Sequence, residues 1–343
     1  MYLLYIYPFV IISIFIFLDR IWSNKNRLLR GMAVFCTAFL IIAGVISNIS
    51  LLFKSKFAGQ SHTYKGYDYK VFGYNVGWTI SHDIDRFNYI IDNYISHRYR
   101  SFFYEGLGDR IGYEIAMIPK KNNDEFQSGL CNYLDIVNKV DRKYKYFVYR
   151  WIGRRIINWQ DDFSLDRSSF LINYIDKKYR SYLYEGMGWD ISVRFAGPLE
   201  YDGDTEKYIK ICITYIDRIE RKNRGYVYFG LGQRLGSRRF VFDDLQNSIK
   251  LIYHIDPQFR NNAFKGFGWS LGERFEEEPE KYLNIINNVD DKYKSNVYHG
   301  LSWCLAWRFK QEGKYNELTN KIDKRFKSYC DPGLKRYLEE TKL

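Results

Sequence analysis

One phrase recurs along most of the chain and restricts its fold more than any other feature. It opens with an aromatic and a basic residue and reaches, a few residues on, an aromatic-x-Gly-apolar-Gly core. The clearest copies run from Tyr99-Arg100 to Tyr104-Glu105-Gly106-Leu107-Gly108 and from Tyr179-Arg180 to Tyr184-Glu185-Gly186-Met187-Gly188. Phe259-Arg260 leads to Phe264-Lys265-Gly266-Phe267-Gly268, and Asn223-Arg224 to Tyr228-Phe229-Gly230-Leu231-Gly232. Two copies depart at a glycine: Tyr144-Lys145 leads to Tyr149-Arg150-Trp151-Ile152-Gly153, and Tyr293-Lys294 to Tyr298-His299-Gly300-Leu301-Ser302. Gly77, Trp78 and Ile80 read as a degenerate first copy. A self-similar unit of about thirty to forty residues is the signature of a stacked repeat architecture.

The period inside each unit is helical. Tyr104, Leu107 and Ile111, like Tyr228, Leu231 and Leu235, are spaced by three and four, which excludes a strand. Between the phrases lie amphipathic segments such as Phe170, Ile172, Tyr174 and Ile175, or Tyr282, Ile285, Ile286 and Val289, with the same spacing. They end in an apolar-Asp pair: Val140-Asp141, Ile175-Asp176, Ile216-Asp217, Ile255-Asp256, Val289-Asp290 and Ile322-Asp323. An Asp there caps the next helix, because its carboxylate accepts orphan N–H groups and favours the positive end of the dipole. Each unit is thus a first helix, a capped turn and a second helix that carries the phrase.

Glycine inside a helix costs roughly 1 kcal/mol relative to alanine, so its recurrence calls for a packing reason. Gly108 with Gly112, Gly232 with Gly236, and Gly268 with Gly272 place missing side chains one turn apart, where a neighbouring helix can approach the backbone. Gly106, Gly153, Gly186, Gly188, Gly230, Gly266 and Gly300 are expected to serve the same stacking. A phosphate-binding role fails on spacing: Gly106-Leu107-Gly108 continues as G-x-G-x-x-x-G, and no strand precedes it.

This pattern resembles the tetratricopeptide and Sel1-like superfamily of helical-hairpin repeats, over roughly Asp68 to Leu338. The alanine-rich signature of Sel1-like units is missing here. The resemblance implies an α-solenoid that mediates protein–protein interaction.

The N-terminus has a different character. Met1 to Leu18 is uncharged throughout, and Gly31 to Phe53 is a second run of apolar and neutral residues. Each is long enough to cross a hydrocarbon core of about 30 Å as a helix. A cleaved signal peptide is the rival reading of the first run, which lacks the basic n-region and small-residue exit that such a peptide carries. The expected organisation is all-α: a transmembrane hairpin over 1–55, a linker over 56–67, and an α-solenoid of about six to seven helical-hairpin repeats over 68–343. The bilayer is engaged through 1–53. Arg20, Lys25, Arg27 and Arg30 in the short connection favour the cytoplasm, which puts the repeat domain on the extracytoplasmic side; Lys54, Lys56, Lys65 and Lys70 compete with them.

The formal charge of +12 overstates the basicity of the repeat region, because beyond residue 60 the balance is 46 basic to 39 acidic residues. No block of like charge marks a nucleic-acid groove, so no nucleic-acid partner is expected. Cys36, Cys131, Cys212, Cys304 and Cys330 are scattered without metal or redox spacing and read as small buried hydrophobes. His62, His82, His97, His254 and His299 form no H-E-x-x-H or related pattern. No catalytic constellation, cofactor site or metal site is expected. The tryptophans offer stacking surfaces but more often pack in cores.

One repeat position varies while its neighbours recur: Glu105, Arg150, Glu185, Phe229, Lys265, His299. With Arg110, Arg155 and Arg234 it is the expected interaction strip, on the reasoning that the exposed face of a solenoid is free to specify a partner. The expected function is a membrane-anchored scaffold with protein partners and no enzymatic step. The alternatives are a structural subunit of a cell-envelope complex and an enzyme built on a helical-repeat fold.

Overall fold

The computed structural model describes residues 69–75, 88–89, 91–93, 95–118, 123–156, 171–195, 204–237, 245–310 and 313–342, all within the compact unit Ser61–Leu343. The expected membrane hairpin, the linker and the expected first copy at Gly77, Trp78 and Ile80 lie outside them. Among the described residues every regular element is helical, and no helix is long and apolar enough to cross a membrane.

The helices fall into two sets. Those that carry the phrase are the helical residues 69–75 (α1), His97–Met117 (α2), Lys145–Gly153 (α4), Arg180–Phe195 (α5), Arg221–Leu235 (α7), Pro257–Gly272 (α9), Asp291–Phe309 (α11) and Asp331–Lys342 (α13). From α2 to α13 each packs extensively on the next, forming an inner layer. The intervening Asn123–Lys139 (α3), Thr205–Ile216 (α6), Leu245–Tyr253 (α8), Pro279–Asn287 (α10) and Lys314–Asn320 (α12) touch their neighbours far less and form the outer set. In α10, Tyr282, Ile285 and Ile286 are buried, as the periodicity requires. Tyr174 departs from its expected core position and stands 41% exposed.

The two glycines of the phrase sit about 200° apart around a helix, so they notch opposite sides of it. A Cβ on the first would collide with the preceding inner helix: Gly186 meets the Arg150 carbonyl, Gly230 that of Glu185, Gly266 that of Phe229 and Gly300 that of Lys265. A Cβ on the second would collide with the following helix: Gly188 meets the Val227 carbonyl, Gly232 that of Ala263 and Gly268 that of Val297. Gly112, Gly236 and Gly272 face the following helix as well. The inner helices α2, α5, α7 and α9 are therefore pared to backbone on two sides and their neighbours on one, and a single layer of helices packs closer than side chains would permit.

The recurring aromatics make a second ladder. The residue two before the first glycine stacks on the aromatic that opens the next phrase: Tyr69 on Tyr99, Tyr104 on Tyr144, Tyr149 on Tyr179, Tyr228 on Phe259, Phe264 on Tyr293 and Tyr298 on Phe326, with centroids 4.5 to 5.2 Å apart. Where Asn223 replaces the opening aromatic, its Nδ2 donates to the Tyr184 hydroxyl at 2.9 Å. The register reveals two further copies. Tyr69 and Gly73 in α1 hold first-copy positions, since a Cβ on Gly73 would strike the Phe103 carbonyl. Phe326 and Gly333 hold last-copy positions, with Gly333 against the His299 carbonyl.

Asp141, Asp176, Asp256 and Asp323 cap the turns, accepting from the N–H groups of Lys143, Lys178, Gln258 and Arg325. Asp290 occupies the cap position without a side-chain bond. Asp217 instead ends α6 and binds Arg224, and Glu220 takes the position before α7. The basic residue of the phrase closes the same turn from behind: the Nε of Arg100, Arg180, Arg224 and Arg260 donates to the carbonyls of Ile95, Ile175, Ile219 and Ile255.

Candidate functional site

Because the two glycine positions of the phrase face the two neighbouring inner helices, the residue before the first of them and those one and two turns beyond it lie on a third side. Across the array this side closes on itself. Arg308 of α11 donates to Ser101 Oγ at 2.8 Å and Glu105 Oε1 at 3.0 Å, both on α2, and its guanidinium lies 3.5 Å from the Phe102 ring. Arg336 and Glu340 of α13 reach α5: Arg336 donates to Glu185 at 3.2 Å, and Tyr182 donates to Glu340 at 2.7 Å.

The centre of this closed side is a polar network inside an aromatic shell. Glu185, 1% exposed, accepts from Arg150 Nε at 3.0 Å and from Arg150 Nη2. Arg336 bridges Glu185 to Glu340, which also accepts from the indole N–H groups of Trp303 and Trp307 at 2.9 Å each. Arg150 donates to the Tyr146 hydroxyl at 3.1 Å and lies over the Tyr146 and Trp269 rings. Two guanidinium groups and two carboxylates thus share one buried cluster. Burial disfavours the charge on Arg336, but attraction by Glu340, Glu185 and Tyr182, with the hydrogen bond to Glu340, together outweighs it and raises the pKa, so it stays charged.

The expected solvent-facing strip is corrected by this closure. Glu105, Arg110, Arg150, Glu185, Phe229 and Arg234 are each at most 8% exposed, and Lys265 and His299 are half-buried. Arg155 is likewise half-buried, and it pairs with Asp109. Arg110 pairs with Glu114 and reaches Tyr74. The row varies because what recurs there is the backbone: the carbonyls of Arg150, Glu185, Phe229, Lys265 and His299 meet the glycine notch of the next helix. Their side chains then have to fit different neighbours as the array curls.

Burial, followed by repulsion from Lys265 and Arg336, lowers the His299 pKa to about 3. The Lys265 pKa is also lowered, by burial and then by Arg336. A second grouping joins α1, α4, α5 and α7: Lys70 and Arg154 lie over Trp151 at 3.2 and 4.1 Å, and Arg154 and Arg234 over Trp189 at 3.9 and 5.6 Å.

Sequence reasoning passed over Arg308, Arg336, Glu340, Tyr146 and Tyr182. Arg336 and Glu340 look like an ordinary exposed i, i+4 pair. The spacing of seven between Phe326 and Gly333 was the signal that α13 belongs to the inner layer. Among the described residues no group of His, Cys, Asp and Glu is arranged to hold a metal ion. A surface hollow lined by Asn287, Asp291, Lys294, Arg325, Phe326 and Tyr329 contains charges already paired within the chain. Comparison with protein-family models, with curated proteins and with solved structures finds no match.

Proposed function

We propose that the chain is a membrane-anchored α-solenoid scaffold, held in the bilayer by 1–53, that binds protein partners through its outer helices and inter-unit turns and has no catalytic step of its own. The observation that carries this reading is the division of labour within each unit. Recurring residues build the inner layer, whose inward side is filled by its own side chains, while outward positions such as Tyr174, in the segment between α4 and α5, differ between units and stand exposed, Tyr174 by 41%. In quasi-one-dimensional arrays the residues outside the stacking framework are the ones available for recognition.

Photo-crosslinkers at Tyr174 and Glu185 of the full-length chain test it. Partner adducts are expected at Tyr174 and none at Glu185; adducts at Glu185 alone refute the outer-surface reading. The tether predicts retention in the membrane pellet through high salt and alkaline extraction, since apolar spans hold by burial rather than by charge. Release by salt alone refutes it. The extracytoplasmic placement predicts that a cysteine introduced at Ser61 is labelled in intact cells, and labelling only after lysis reverses it.

A further inference from the structure

We propose that Arg154, with Trp151 and Trp189, forms a binding site for an oxyanion, the phosphoryl or carboxylate group of a small ligand. Arg154 follows the last turn of α4 and is 8% exposed. Its guanidinium is stacked by the two indoles at 4.1 and 3.9 Å, yet it makes no hydrogen bond or ion pair among the described residues, and its Nε is sealed from solvent without an acceptor. Arg110, Arg150, Arg155, Arg234, Arg308 and Arg336, by contrast, each have a hydrogen bond or an ion pair.

A buried charge is ordinarily paired, because desolvation without compensation costs several kcal/mol on the order-of-magnitude scale for such groups. The neighbouring carboxylates are engaged elsewhere. Asp109 holds Arg155 and lies 3.8 Å from Lys70, while Glu105 and Glu273 face Arg308 at 3.0 and 3.9 Å. The indole faces and the negative end of α4 offset part of the cost. They do not offset all of it, and burial leads the causes that lower the Arg154 pKa to about 10. An added anion supplies the missing compensation.

The geometry also fits the ligand class. With indoles stacked against it, the guanidinium offers a ligand its N–H edge, which matches two oxygens of a carboxylate or phosphoryl group in a parallel fork. Arg234, 6% exposed and stacked on Trp189 from a second helix, adds a further positive charge to the same surroundings. This site stands apart from the proposed scaffold role, and neither depends on the other.

The test is a titration of the full-length chain in detergent with sodium phosphate and with sodium acetate, at an ionic strength held constant by sodium chloride. Tryptophan emission is read, since both flanking indoles should respond. A saturable change is expected for at least one anion, and the tighter of the two assigns the ligand group. Arg154→Met should abolish the response, and Arg154→Lys, which keeps the charge and loses the fork, should weaken it by about tenfold or more. If the Met variant does not fold, the Lys variant decides. No saturable response beyond the chloride control, or parent-like affinity in Arg154→Lys, overturns the proposal.

Discussion

Replacing Glu185 by Gln separates a buried inner network from a solvated strip by magnitude. The carboxylate accepts from both Arg150 and Arg336, with 1% of the residue exposed. Gln keeps the shape but removes the negative charge, and its amide N–H₂ faces a donor. Two guanidinium groups are then left with one carboxylate, Glu340. Breaking one partner of a buried pair costs about 3–5 kcal/mol, whereas an exposed pair is worth about 0–1 kcal/mol. Urea unfolding of parent and variant, followed by tryptophan emission and by far-UV circular dichroism, should show a loss in the higher range. Because repeat arrays can unfold in steps, the two probes must coincide before one free energy is assigned. A loss under about 1 kcal/mol would refute the buried network and restore the row to the surface.

Gly232→Ala should destabilise by more than about 1 kcal/mol in the same assay although it raises helix propensity, because the new methyl overlaps the Ala263 carbonyl; a neutral or stabilising effect would remove the close-approach explanation. For His299 the folded pKa of about 3 lies below the unfolded value of about 6.5. The unfolded chain therefore binds the extra proton, and stability falls as pH falls from about 6.5 toward about 3. His299→Gln should flatten that part of the stability-versus-pH curve, and an unchanged slope would show that the imidazole is solvated.

The sequence makes local structure legible wherever one unit dictates it. The spacing of Tyr104, Leu107 and Ile111 marks the inner helix, and Asp176 or Asp256 marks the turn before it, because these follow from neighbours in sequence. Glycine recurrence announces close packing, yet its two-sidedness emerges only when Gly186 and Gly188 are seen against different helices. What the row at Glu105 and Glu185 faces depends on how far the array curls. That is set by many small interhelix angles, and no single unit records it. The partners of both carboxylates, Arg308 and Arg336, lie 203 and 151 residues away. A solenoid prior exposes such a row, and closure buries it. The departures from the phrase were informative as well: Trp151, standing where a glycine recurs, carries the Lys70 and Arg154 side chains.

Closure of the inner layer is most directly tested by the coupling between Glu105 on α2 and Arg308 on α11, which meet at 3.0 Å across the array. Unfolding free energies of the parent, Glu105→Gln, Arg308→Met and the double variant form one thermodynamic cycle. Residues in contact couple by about 0.5–3 kcal/mol, and distant ones add within about 0.5 kcal/mol. The closed layer predicts a coupling above about 1 kcal/mol, the double variant being less destabilised than the sum of the single ones. Additivity within about 0.5 kcal/mol would contradict it and leave α2 and α11 apart in an open array.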